Sequence, residues 1–247
     1  MGEIPWTVGD VVKGIGLVIG LSLVIAFGVG IVTVLIIGAD VPLELGFLDI
    51  AGFLDFLESE GVLWQWLIMA FAAMVAGEGA MLLTAWLFSN VKYKSGRRAL
   101  GFRRFKVRSG LILAAVVVGV GLLINFLYDL LLASLEVDYS SFLPPEITET
   151  GLGLAIIVVL AVVVAPIAEE TLFRGFIFAG VRNRYGYSWA AVLSAMLFSF
   201  AHLQPGALLP IFIVGLLLAW LYMRTGSIWT CILAHCAYNS LALLFMI

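Results

Sequence analysis

From residue 11 to residue 37 the chain carries a single charged residue, Lys13. A helix needs about 20 mostly apolar residues to cross a bilayer, and this run is longer than that. Six further runs follow. Residues 62–89 are interrupted only by Glu78, and 110–135 hold Asn125 and Asp129 near the far end. Residues 151–181 turn polar at Glu169, Glu170 and Arg174, and 188–203, 207–223 and 227–247 complete the series. The expected fold is all-α, a polytopic transmembrane helical bundle of about seven spans. Composition agrees: 63% of residues are hydrophobic and 12% charged, against about 25% charged in a soluble domain. The mean hydropathy of +1.16 points the same way. A net charge of -3 leaves no basis for a nucleic-acid partner. Cys231 and Cys236, five residues apart, face different sides of a helix and read as free thiols. The N-terminus has Glu3 and Asp10 in place of a basic leader, so no cleavable signal peptide is expected.

Charge in the loops sets an orientation. Residues 92–108 contain Lys92, Lys94, Arg97, Arg98, Arg103, Arg104, Lys106 and Arg108 and no acid. Residues 40–60 and 136–149 contain acids and neither Lys nor Arg. The positive-inside rule places the basic loop in the cytoplasm and the acidic loops outside. Alternation then puts the N-terminus inside and brings Arg182, Arg184 and Arg224 to the cytoplasmic side as well. The basic loop reads as a topology determinant that also touches anionic membrane lipid. A broken apolar stretch at 45–57 reads as an interfacial helix. One helical domain in two layers is expected: an N-terminal three-span unit, 1–150, and a C-terminal four-helix core, 151–247. Pro144 and Pro145, within 140–150, mark the join.

Ionisable residues inside a bilayer are costly, and each is a site hypothesis by default. Both histidines of the chain, His202 and His235, fall within expected spans. At 1.5 Å per residue from the cytoplasmic ends, Glu169 lies about 16–18 Å deep, His202 about 20 Å and His235 about 12 Å. They can meet in one layer. Glu170 and Arg174 are i and i+4, the favoured order for an acid preceding a base. Glu169, about 100° round the helix from Glu170, is then left to face a cavity. Pro166 removes a helix hydrogen bond just before it. His235 and Asn239 share a face, and Phe198 lies one turn before His202 on its face.

Glu169-Glu170-Thr-Leu-Phe-Arg174 resembles the EExxxR motif of the CPBP family, the CAAX proteases and bacteriocin-processing enzymes also called the Abi family. Phe198-Ser-Phe-Ala-His202 resembles the family's FxxxH, and His235-Cys-Ala-Tyr-Asn239 its HxxxN, in the family's order. The resemblance implies an intramembrane endopeptidase in the cell membrane, with its site in a water-filled cavity open to the cytoplasm. It assigns Glu169 as the base that activates a water, with His202 assisting. His235 and Asn239 would polarise the scissile carbonyl and stabilise its oxyanion; Glu170, Arg174 and Phe198 would support them. The implied substrate is a peptide or a protein, prenylated in the CAAX-type case. No cofactor is expected, since the chain lacks HExxH. A zinc form would use Glu169, His202 and His235.

A transporter or channel that uses the same Glu and His residues as a proton or metal relay is the competing reading. No inverted repeat supports it. Glu78 lies about 18 Å from the inner end of its span, level with the motif residues. Cavity lining and helix packing both remain open for it. Asn125 and Asp129 share a face near the outer end and read as structural.

Overall fold

The computed structural model describes residues 4–37, 56–136 and 151–246. The join at 140–150 lies outside the described residues, as does the stretch at 45–57 except for a helical turn beginning at Phe56. Among the described residues the chain is a helical membrane bundle. Helix α1 is Val8–Ile37, α2 is Leu63–Trp86 with a π-helical end at Leu87–Lys92, and α3 is Val107–Ser134. A single helical path then runs from Gly151 to Ala201 and is broken at Gly186, whose φ of 79° and ψ of 179° no helix accommodates. Straight, that path would measure about 75 Å, far more than a bilayer's hydrocarbon core of about 30 Å. Glycine supplies the positive φ that lets it turn. The part before the break, 151–185, is α4, and the part after, 187–201, is α5. Helix α6 is Leu208–Thr225 and α7 is Ile228–Met246.

Five helical stretches are long and apolar enough to cross a membrane, one of them Leu154–Ala201, and Ile228–Leu244 is a shorter apolar helix. With that stretch divided at Gly186, the seven runs of the sequence correspond to seven helices among the described residues.

Packing crosses between the two halves of the chain. Helices α1 and α2 pair, and α2 also packs on 165–178. Helix α3 packs instead against α6 and α7. One core runs through both halves, from Trp6 and Val11 through Val117 to Phe176, Phe198 and Leu218. The start of α1 is fastened by Asp10, which takes hydrogen bonds from Thr7 and from the Tyr93 hydroxyl (2.6 Å) and pairs with Lys92. Trp6 donates its indole N–H to the Phe176 carbonyl at 3.0 Å, which ties the N-terminus to α4.

Candidate active site

Helix α4 changes its winding on both sides of Glu169. Leu160–Val164 and Glu170–Phe178 are π-helical, with the short α-helical segment Ala165–Glu169 between them. Such wide turns leave carbonyls without the usual partner and recur at functional sites. Pro166 has no N–H to return to the preceding turn. The Ala161 carbonyl in that turn takes a hydrogen bond from Asn239 Nδ2 (2.7 Å) instead.

The second π-helical stretch presents Glu170 and Arg174. Both are fully buried, and Arg174 Nη1 donates to Glu170 Oε1 at 2.8 Å, as the i,i+4 spacing predicts. Arg174 Nη2 donates to the Gly215 carbonyl of α6 at 3.0 Å, and its guanidinium lies over the Phe198 ring, 4.5 Å from the centroid. Burying an isolated charge costs far more than any one contact returns, so this arginine needs all of its partners.

Glu170 does more than hold Arg174. His235 Nδ1, on α7, lies 3.0 Å from the same Oε1. A carboxylate only accepts, so Nδ1 is the donor and Nε2 points onward. Nε2 is 3.7 Å from Glu169 Oε2, beyond hydrogen-bond length. Glu169 Oε2 is buried with no hydrogen-bond partner among the described residues. The two glutamates therefore stand on either side of one imidazole, and only Glu170 is engaged by the helix scaffold. Glu78 on α2 likewise buries an Oε2 that has no hydrogen-bond partner among the described residues.

His202 closes α5. Its Nδ1 lies 2.8 Å from the Phe198 carbonyl, an acceptor, so Nδ1 donates and a neutral ring keeps its lone pair on Nε2. Phe198 joins the parts: its ring meets His202 at 4.7 Å, His235 at 5.7 Å and Phe173 at 5.3 Å, each edge to face. The structure thus gathers Glu169, Glu170, Arg174, Phe198, His202 and His235 from three helices. Asn239 sits one turn beyond His235 and is spent in part on α4. Among the described residues no three His, Cys, Asp or Glu side chains are grouped to hold a metal ion.

Sequence reasoning did not foresee the Glu170–His235 bond, the Gly215 carbonyl under Arg174 or the grip of Asn239 on Ala161. Each crosses between helices. Glu78 gave the one available signal, a lone acid at matching depth.

Fold and site together define a multi-pass helical membrane protein with a buried Glu/His/Arg cluster. Residues 151–241 match the family model described as type II CAAX prenyl endopeptidase Rce1-like, which bears out the resemblance over that segment. The chain is 29% identical over 92 residues, 37% of its length and 38% of the relative's, to a Bacillus subtilis (strain 168) protein named "Putative membrane peptidase YdiL". It is 38% identical over 88 residues, 34% of its length and 41% of the relative's, to an "Uncharacterized 24.3 kDa protein" of Escherichia coli. The chain spans about two fifths of the length of the curated relatives it matches. No solved structure matches it significantly.

Proposed function

We propose that the chain is an intramembrane endopeptidase that hydrolyses a peptide bond of a membrane-associated peptide or protein, with water activated by Glu169. The observation that carries this is the unequal engagement of two adjacent carboxylates. Glu170 Oε1 is held by Arg174 and His235, while Glu169 Oε2 has only the His235 Nε2 edge, 3.7 Å away. A general base must be buried near its target and free of competing donors, and Glu169 meets that requirement.

In the proposed step Glu169 takes a proton from a water whose oxygen attacks the scissile carbonyl carbon. His202 assists through Nε2. His235, oriented and kept electron-rich by Glu170, donates from Nε2 to the developing oxyanion when its ring is protonated, and the second N–H of Asn239 does the same. Donors fixed in advance on an oxyanion are usually the largest electrostatic contribution to such a reaction. The proton held by Glu169 then passes to the leaving amine. No metal or other cofactor takes part in this scheme. The substrates are of the CAAX type, where the host prenylates proteins, or peptides undergoing maturation. The site opens to the cytoplasmic side, the side of the basic loop 92–108.

The test is cleavage of a peptide library by the full chain in proteoliposomes, comparing wild type with Glu169→Gln. The isostere keeps the shape and removes only the proton acceptor. Turnover should fall at least about a hundredfold, with the melting temperature unchanged. Full cleavage by Glu169→Gln overturns the proposal. Substrate-driven ion flux without cleavage assigns the residues to a transporter instead.

A further inference from the structure

A cavity lies away from the glutamates, at the basic end of the bundle. It measures about 970 Å³, at the upper end for a ligand pocket. Arg97, Arg98, Phe102, Arg103, Arg104 and Trp229 wall it, between the end of α2, the start of α3 and the start of α7.

We propose that this cavity is a binding site for the phosphate headgroup of an anionic phospholipid, a ligand separate from any peptide substrate. Charge comes first. None of the four guanidiniums is in an ion pair among the described residues, and no acid occurs anywhere in 92–108. Among the described residues the one hydrogen bond from these guanidiniums runs from Arg103 Nε to the Arg98 carbonyl, 2.9 Å, and leaves the fork of Arg103 free. Arginine forks match phosphate oxygens two at a time. Four unneutralised forks round one cavity want an anion.

The wall is also built, not merely charged. The Gly101 carbonyl accepts the Ile228 N–H at 3.0 Å, and the Ser227 hydroxyl donates to the Arg103 carbonyl at 2.5 Å. Phe102 packs edge to face on Trp229 at 5.3 Å. Gly101 has a φ of +89°, and a Cβ there would lie 2.5 Å from the Tyr222 hydroxyl. The loop is thus moulded onto the ends of α6 and α7, and the arginines stand on a fixed base.

Position selects a lipid over a soluble phosphate. The cavity sits where the apolar spans begin, and its rim includes Val107 and Trp229, both exposed and apolar. Tryptophan favours the headgroup level of a bilayer, and basic pockets there take lipid phosphates. A headgroup can lie among the arginines while its acyl chains run down past Val107.

The experiment uses the full chain in nanodiscs of dioleoyl phosphatidylcholine with and without dioleoyl phosphatidylglycerol. Bound lipid is counted by native mass spectrometry and the melting temperature is recorded. Arg98→Gln/Arg104→Gln is compared with Arg184→Gln/Arg224→Gln, which removes equal charge from basic residues outside the cavity. Wild type and the control should retain phosphatidylglycerol over phosphatidylcholine and melt higher with it. The cavity variant should hold on the order of tenfold less, while melting as wild type does in phosphatidylcholine alone. Equal retention by the cavity variant, or equal loss by the control, overturns the proposal. So does an equal rise in melting temperature of detergent-purified protein with glycerol 3-phosphate in place of lipid.

Discussion

Residues 170–181 of α4 and residues 15–35 of α1 lie at opposite extremes of burial. Every residue of 170–181 is buried, whereas none of 15–35 is. Yet α1 belongs to the more apolar of the two candidate spans. The difference reverses the rule for soluble proteins. Lipid solvates leucine as well as a core does, so apolar character says nothing about which face turns inward. Leu23 and Phe27 are 65% and 72% exposed, while Glu170 and Arg174 are wholly buried. In this chain polarity marks the interior, because only the bundle can satisfy a charge there.

The strongest way to break that contrast is to spoil the polar interior. Glu170→Gln keeps the volume but leaves Arg174 buried without a counter-charge, and weakens the acceptor that holds His235 Nδ1. Half-breaking a buried pair costs about 3–5 kcal/mol. For a chain of this size that is roughly a 10 °C fall in melting temperature. Cleavage should be lost along with stability, whereas Glu169→Gln loses cleavage alone. Paired melting curves and reporter cleavage in one detergent check this. A stability loss confined to Glu169→Gln would reverse the two roles.

Part of the arrangement of these residues is legible in the sequence, and the division follows a physical line. Spans were readable because a bilayer fixes their length, and Glu170–Arg174 because i,i+4 neighbours must meet on a helix. The edge-to-face contact of Phe198 with His202 follows from the same spacing. Contacts made across helices were not readable. Nothing in local spacing says that α7 presses His235 against Glu170, or that Asn239 reaches the Ala161 carbonyl. The π-helical winding was equally hidden, because it answers to Pro166 and to distant partners together. The basic loop gave its charge but not its shape. Its docking depends on Gly101 meeting Tyr222 and Ile228, more than a hundred positions along the chain.

A smaller effect tests how tightly the buried segment is held from that loop. Gly175 follows Arg174 directly, and a Cβ there would lie 2.7 Å from the Leu100 carbonyl, a backbone atom that cannot rotate aside. Gly175→Ala must push the loop away or shift α4. Overpacking of this kind costs about 1–3 kcal/mol. The melting temperature should fall by several degrees, and cleavage should fall with it as Arg174 moves off the Gly215 carbonyl. A melting curve identical to wild type would show that loop and helix are not in firm contact.

The smallest effect belongs to the lipid-facing side of α1 and makes the contrast quantitative. Leu23 is 65% exposed, and no buried residue lies near it in sequence between Ile15 and Leu35. In a soluble core Leu→Ala costs about 2–5 kcal/mol, from lost transfer energy and a residual cavity. Neither term applies at Leu23. Acyl chains fill the space a shorter side chain vacates, and the leucine had the same apolar surroundings before and after helix association. Leu23→Ala should therefore change stability by less than about 0.5 kcal/mol, a shift of about 1 °C, and leave cleavage at the wild-type rate. The measurement is a melting curve in nanodiscs, where the lipid contact is kept. A fall of several degrees would mean that Leu23 packs on protein after all, and that exposure in α1 does not distinguish it from 170–181.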